Sequence, residues 1–401
     1  MRIYILFVIL LCAGFVNAQT IVIKADRLID VRNSKVISQP VIVIEKNIIV
    51  EVLSGNNIPA NATILDLKGY TILPAMMDVH THVLAGEDDY DKDLYKNSPS
   101  FRALRAARNL SISLQNGFTT LRDVCSEGAG FADVDIARAI DSGYIIGPRL
   151  FASGKGIAAT NRYVPSLKNQ NWELTLPSGT QYATGVDECT KAVREQVSRG
   201  VNWIKLYSDW GTPTFNFEEI KTIVNEAKKY HVNVEAHATT TEAIRMDILA
   251  GVRSIEHGFA FDDSLIALAV RNNTFWSPTV SVLEYYGQTA VLDNHYKSLS
   301  KAYKENLKIV CGTDIGSFPW TINEAKELEY YVSKAGLTKM DAIKTATINA
   351  AELLGIDNKL GSVEKGFFAD IIAVKGNPLD DISLLQKVAF VMKEGKIYKR
   401  P

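Results

Sequence analysis

Hydrophobic and polar positions follow two rhythms along this chain, and the rhythm changes twice. Residues 20–66 carry short aliphatic bursts, Ile21-Val22-Ile23, Val41-Ile42-Val43-Ile44 and Ile48-Ile49-Val50. Turn residues such as Glu45-Lys46-Asn47 and Ser54-Gly55-Asn56-Asn57 separate them, which predicts a small antiparallel sheet. The same style returns at Asp370–Val374, Val388–Met392 and Gly395–Tyr398. Between these ends, strand-like runs alternate with runs of helical period. Strands are expected up to His80 and over Phe118–Leu121, Arg149–Ser153, Val201–Tyr207, Val232–His237, Arg253–His257, Thr274–Ser277 and Lys308–Asp314. Helices are expected over Leu104–Leu114, Val134–Ile140, Val186–Val197, Phe217–Tyr230, Thr240–Ala250, Ser264–Arg271 and near Tyr296–Glu305. Regular alternation implies parallel strands, and eight of them imply a closed barrel. The expected fold is α/β: a (β/α)8 TIM barrel over residues 71–359, with a small β-sandwich domain built from residues 19–70 and 360–401.

Composition narrows the class without naming a chemistry. At 401 residues, 47% hydrophobic and 22% charged, the chain is an ordinary globular one. A net charge of -1 gives no reason to expect nucleic acid or an anionic membrane as partner. The N-terminus differs from the rest. A basic Met1-Arg2, an apolar Ile3–Leu11 and Val16-Asn17-Ala18 before Gln19 read as a secretory signal over residues 1–18. Cys12 follows Leu11, not a small residue, which argues against a lipid anchor. The expectation is an exported protein, periplasmic or secreted, with a small-molecule substrate, no membrane association once the signal is removed, and homo-oligomerisation left open. Cys125, Cys189 and Cys311 are scattered and odd in number, so they read as small buried residues.

The chemistry gathers where strands end. In Asp78-Val-His80-Thr-His82 the period of two sends both histidines to one face, within reach of one cation. Two polar residues capping a strand is the plainer reading of that pair alone. Four of the six histidines, His80, His82, His237 and His257, fall at expected strand ends, together with Asp314. Active sites of barrels lie at that end. His231 and His295 read as surface residues. In Trp203-Ile-Lys-Leu-Tyr207, alternation puts Ile204 and Leu206 on one face and Lys205 on the other, pointing inward. A desolvated lysine loses its proton readily and can take up carbon dioxide as a carbamate. A lysine snorkelling to the rim is the alternative. For Asp314 the alternatives are a metal ligand that also accepts a proton, or a helix cap.

These segments together resemble the amidohydrolase superfamily. The likeness rests on Asp78-Val-His-Thr-His82, Gly117-Phe-Thr-Thr-Leu-Arg-Asp123, Ile204-Lys205, Ala236-His237, Ser254-Ile-Glu-His-Gly258, Gly312-Thr-Asp314 and Leu360-Gly-Ser-Val-Glu-Lys-Gly366. It is greatest for the imidazolonepropionase-related, Xaa-Pro dipeptidase-like branch. The resemblance implies a binuclear centre, usually of zinc. His80, His82 and Asp314 would hold one cation, His237 and His257 the other, and Lys205, carboxylated on its side-chain nitrogen, would bridge them. It implies hydrolysis of an amide-type C–N bond, in a dipeptide, an N-acyl amino acid or a cyclic amide, by a hydroxide bridging the two ions, with Asp314 moving the proton. Two departures put the substrate in doubt. Gly154–Tyr163 lacks the Gly-Gly-His segment common in dipeptidase-like members, and Thr239 stands where many carry Tyr or His. Arg162 and Tyr163 are candidates to bind a substrate carboxylate, and Tyr207 to polarise a carbonyl. The rivals are a mononuclear deaminase or imidazolonepropionase-like enzyme, a phosphotriesterase- or lactonase-like hydrolase, and a non-catalytic binding module that should have lost ligands.

Overall fold

The aliphatic bursts at the two ends of the chain find each other. The computed structural model describes residues 20–55, 58–59, 61–86, 90–160 and 178–401. The expected signal at residues 1–18, and Arg162 and Tyr163, lie outside the described residues. Strands β1 (Thr20–Asp30), β2 (Lys35–Ser38), β3 (Pro40–Glu45), β4 (Ile48–Ser54) and β5 (Thr63–Pro74) come from the N-terminal part. They share one eight-stranded sheet with three strands from the far end of the chain. The hairpins are antiparallel as expected, but β1 and β5 are parallel, Ile23 facing Leu65 and Leu28 facing Ile72. The direction of β5 is imposed by its destination, because it runs straight on through Ala75 into β6 (Met76–Thr81). The apolar run before His80 therefore serves two sheets. Thr71–Pro74 pair in the terminal sheet, and Met76–Thr81 pair with β7 (Phe118–Asp123).

Parallel strands follow: β8 (Arg149–Ala152), β9 (Gly156–Ala158), β10 (Thr180–Tyr182), β11 (Trp203–Tyr207), β12 (Asn233–Ala238), β13 (Ser254–His257) and β14 (Phe275–Ser277). They form two sheets, β6-β7-β8 and β10-β9-β11-β12-β13-β14. One seam is crossed where Asn202 N donates to Ala152 O at 2.8 Å, just before β11. The expected strand Lys308–Asp314 is irregular. It touches β14 through a bridge at Ile309 and β6 through a bridge at Ile315. Val310 N donates to Trp276 O at 3.0 Å, and Val79 N to Cys311 O at 2.9 Å. Strands β15 (Ile371–Lys375), β16 (Val388–Lys393) and β17 (Lys396–Lys399) complete the terminal sheet, whose order is β17-β16-β15-β5-β1-β3-β4 with β2 on β1.

Helices cover the parallel strands because each strand sends one face outward. Ile204, Leu206, Ala236 and Ile255 share a core with Ile220, Ile244 and Leu265 of the helices. Local signals set the helix ends. Asn216 and Glu219 form a reciprocal cap at the start of the helix Phe217–Lys229. Thr240 caps the helix Thr241–Ala250. The short helices Lys326–Ser333, Lys339–Thr345 and Ile348–Leu354 are only seven or eight residues each, too short to show a helical period. The terminal sheet has its own core around Ile23, Ile42, Ile72, Ile371 and Phe390. The three cysteines are buried thiols. Among the described residues no helix is long and apolar enough to cross a membrane.

His295 corrects the expectation of a surface residue. In the helix Thr289–Lys304 it shares the buried face with Leu292, Tyr296 and Leu299. Its Nε2 lies 2.8 Å from Pro278 O, so this nitrogen carries the proton. Burial lowers its pKa to about 4. Polar neighbours in the sequence masked the helical phase.

Candidate active site

The ends of the parallel strands bring the expected ring together. His80 on β6 is fully buried, and its Nε2 has no hydrogen-bond partner. His82 lies just beyond β6, with its Nε2 3.1 Å from Asp314 Oδ1. His80 Nε2 is 3.7 Å from the same oxygen. Donor atoms of His80, His82 and Asp314 all lie within 4.8 Å of one another. An orphaned buried nitrogen beside a second imidazole and a carboxylate suits a divalent cation. On the other side, the His257 ring is 4.9 Å from that of His80 and 4.5 Å from that of His237. Lys205 on β11 is buried with its Nζ 5.3 Å from the Tyr207 ring. The inward register expected for Lys205 is thus the one found, with Ile204 and Leu206 packed under the helices.

Close packing allows the ring to form. A Cβ on Gly312 would lie 2.1 Å from Ser277 Oγ and 2.7 Å from His80 Cβ, so only glycine lets the segment reach β6 there. Asp78, two residues before His80 and on the same face, accepts from Thr313 N at 3.1 Å and from Thr313 Oγ1. This clamps the segment carrying Asp314. Ser317 Oγ then donates to Asp314 Oδ1 at 2.9 Å.

Beneath the ring, Arg122 is wholly buried between Glu235 and Glu256. Its Nη2 donates to Glu256 Oε1 at 2.7 Å. Its Nε directs its one N–H at Val79 O, 2.6 Å away, while Glu235 Oε2 sits beside that nitrogen at 2.7 Å, off the N–H axis. The other oxygen of Glu256 meets His80 Nδ1 at 2.7 Å.

The electrostatics follow from burial and charge. Desolvation, followed by the Lys205 charge, lowers the pKa of His80 and of His237. Desolvation and the neighbouring imidazoles do the same to His257. Three neutral imidazoles are the state a cation requires. His82 goes the other way. Burial opposes its protonation, but Glu127 and Asp314 outweigh burial and lift its pKa to about 10. A bound cation would repel that proton. Burial also works against Asp314, yet His82 and His80 keep its carboxyl below the ordinary range.

Tyr207 is buried beside the ring, 5.5 Å from His237, and Trp210 stacks on His237 at 4.7 Å. Arg162 and Tyr163 have no place in this geometry, being outside the described residues. Three residues were missed by sequence reasoning. Glu127 Oε1 lies 2.7 Å from His82 Nδ1, and Thr279 Oγ1 lies 2.8 Å from His257 Nδ1. Asp209 accepts from Thr239 and Thr240 under His237. None has a spacing to its partner that a periodic pattern reveals. Glu256 was legible as part of the Ile-Glu-His segment but carried no role.

Parallel strands that deliver imidazoles, a carboxylate and a lysine to one buried cluster define a candidate metal centre of α/β architecture. The chain belongs to the amidohydrolase family, whose model matches residues 71–398. Ochratoxinase of Aspergillus niger is 31% identical over 373 residues, spanning 82% of this chain and 76% of that protein. Imidazolonepropionase of Picrophilus torridus is 23% identical over 358 residues, spanning 85% of this chain and 86% of that protein. The crystal structure of a Xaa-Pro dipeptidase with bound methionine is 33% identical, with a TM-score of 0.87 over 95% of this chain and 100% of that one.

Proposed function

We propose that this protein is a metal-dependent hydrolase that cleaves an amide-type C–N bond. It would use a (β/α)8 barrel over residues 71–359 and an accessory β domain from residues 19–70 and 360–401. The observation that carries the reading is the triad His80, His82 and Asp314, with donors within 4.8 Å and the His80 Nε2 otherwise unused. These three would hold one divalent cation. His237 and His257 would hold a second, with carboxylated Lys205 between them. Such cations, zinc foremost, would supply an ionised water near neutral pH and polarise the scissile carbonyl. Asp314 would receive a proton at Oδ2 and return it to the leaving amine. Its Oδ1 is already engaged by His82 and Ser317. Tyr207 would flank the carbonyl, and Arg162 with Tyr163 would meet a substrate carboxylate. The Xaa-Pro dipeptidase relative favours a peptide, and an N-acyl amino acid presents the same amide bond.

A mononuclear, imidazolonepropionase-like reading also has support, because only one group of three close donors occurs among the described residues. Metal content decides between the two. We expect about two divalent ions per chain in purified protein, loss of amide hydrolysis on chelation, and recovery with zinc, cobalt or manganese. Lys205→Ala should stay folded and lose most activity and bound metal. About one ion per chain, unaffected by Lys205→Ala, favours the mononuclear enzyme. Full activity without metal sinks both readings.

A further inference from the structure

The four imidazoles of the ring are not supported alike. His80 Nδ1 lies 2.7 Å from Glu256 Oε2, and His82 Nδ1 lies 2.7 Å from Glu127 Oε1. Both carboxylates are buried, and Glu256 is fixed in turn by Arg122 and Ser254. Glu256 accepts only, so His80 Nδ1 carries the hydrogen of that bond; Glu127 Oε1 stands beside His82 Nδ1 off the N–H axis, so there the buried negative charge, not an aligned hydrogen bond, is the support. Each Nε2 is the atom facing Asp314, and a carboxylate behind an imidazole makes it a stronger ligand. The other pair lacks this support. His257 Nδ1 meets the neutral hydroxyl of Thr279 at 2.8 Å, which can donate or accept and so fixes no tautomer. The acid nearest His237 is Asp209, 3.9 Å from its Nε2. The Asp209 oxygens are already taken by Thr239 N, Thr239 Oγ1, Thr240 N and Thr240 Oγ1.

We infer that the two cation positions are unequal. Glu127 and Glu256 are positioning residues that make the His80/His82/Asp314 position the tight one, filled first, and the His237/His257 position, backed by Thr279 alone, exchanges its cation. The inference rests on the two-cation reading above. Glu127 deepens that reading, since it lies outside every segment that marks the ring in the sequence and reaches His82 from the loop after β7.

Equilibrium dialysis of the cobalt-loaded protein against nitrilotriacetate buffers of graded free Co2+, with bound metal counted by atomic emission, tests this without any substrate. Two steps at least tenfold apart are expected. Glu127→Gln keeps the size and an acceptor for Nδ1 but removes the charge. It should weaken the tight step about 10- to 100-fold and leave the weak step within about threefold. Thr279→Ala should do the reverse, weakening the weak step alone. Thermal unfolding of each metal-free variant checks that the fold is intact, and if Glu127→Gln is unfolded, Glu256→Gln takes its place with the same expected result. Equal steps, or a Glu127→Gln effect shared by both steps or absent from both, overturn the inference. A single step that responds to Glu127→Gln and not to Thr279→Ala removes the second cation from the proposed function but keeps the assignment of strength. A single step that responds to Thr279→Ala overturns that assignment.

Discussion

Removing Arg122 tests whether the polar floor beneath the ring is a source of stability or a passive inclusion. Its guanidinium is fully buried, 4.6 Å from the Trp203 ring, and touches two carboxylates, a carbonyl and a hydroxyl. Arg122→Met keeps much of the side-chain volume and removes every one of those donors. Two buried carboxylates would then lie close together with the more distant Lys205 charge left to offset them. Their cost is unequal. Burial, more than the Arg122 charge can offset, lifts the pKa of Glu235 to about 7, so at neutral pH that residue can take a proton cheaply. Glu256 is left as the charge without a paired cation. Breaking one partner out of a buried ion pair costs about 3–5 kcal/mol, a large share of the ~5–15 kcal/mol that holds a typical protein folded. Urea unfolding of the metal-free protein, followed by tryptophan fluorescence, reads this loss. The double variant Arg122→Met, Glu256→Gln removes the stranded charge, and it should be more stable than the sum of the single changes by about 1–3 kcal/mol. A single variant within about 1 kcal/mol of wild type, or strict additivity of the pair, would refute the account of this network.

Two further outcomes follow from single residues. His295 has a folded pKa of about 4, below its unfolded value of 6.5, so the unfolded chain protonates first as pH falls; its neutral burial stabilises the fold fully above pH 6.5 and loses about 3 kcal/mol on the way down to pH 4. His295→Gln should flatten the stability curve by that amount between these pH values, and unfolding curves that stay parallel to wild type contradict the assignment. A Cβ at Gly316 would stand 2.2 Å from His82 O, at a backbone φ of +103°, so Gly316→Ala should displace His82, cost more than about 2 kcal/mol and lower metal content, and wild-type metal retention in this variant shows the loop to be more yielding than drawn.

Much of the ring was legible because strand alternation has an exact period. His80 and Asp78 share a face, Lys205 opposes Ile204 and Leu206, and His237 follows Glu235 inward, all as the pattern requires. The parallel order of β11, β12, β13 and β14 likewise follows from helices placed between strands. What alternation could not deliver is anything set by a contact distant in sequence. The parallel β1–β5 pair depends on where β5 is going, and the irregular segment around Gly312 depends on the back of His80. Glu127 and Thr279 sit in loops where no period operates, so only the folded chain reveals which histidine each one holds.

His257 shows the limit of the pattern most clearly. Ile255 packs outward among the helices, and Glu256 points inward to His80 and Arg122. Strict alternation would send the next side chain, His257, outward again. Instead its backbone takes φ +65°, and the turn brings the ring to 4.9 Å from His80. Asp314 at φ +66°, Glu127 at +52° and Thr279 at +50° share that left-handed state. Of twelve non-glycine residues with positive φ among the described ones, these four belong to the ring or hold one of its imidazoles. Each costs about 1–2 kcal/mol relative to an ordinary conformation, most for β-branched Thr279. Hydrogen bonds oppose that cost locally: Asp314 N donates to His80 O at 2.8 Å, and Thr279 is bonded to His257. A glycine would relieve the backbone at any of the four but could supply neither ligand nor acceptor. Strain retained at four positions that converge on one cluster is therefore accounted for by what those side chains do at their tips, and it marks the site by a route independent of the histidine spacing.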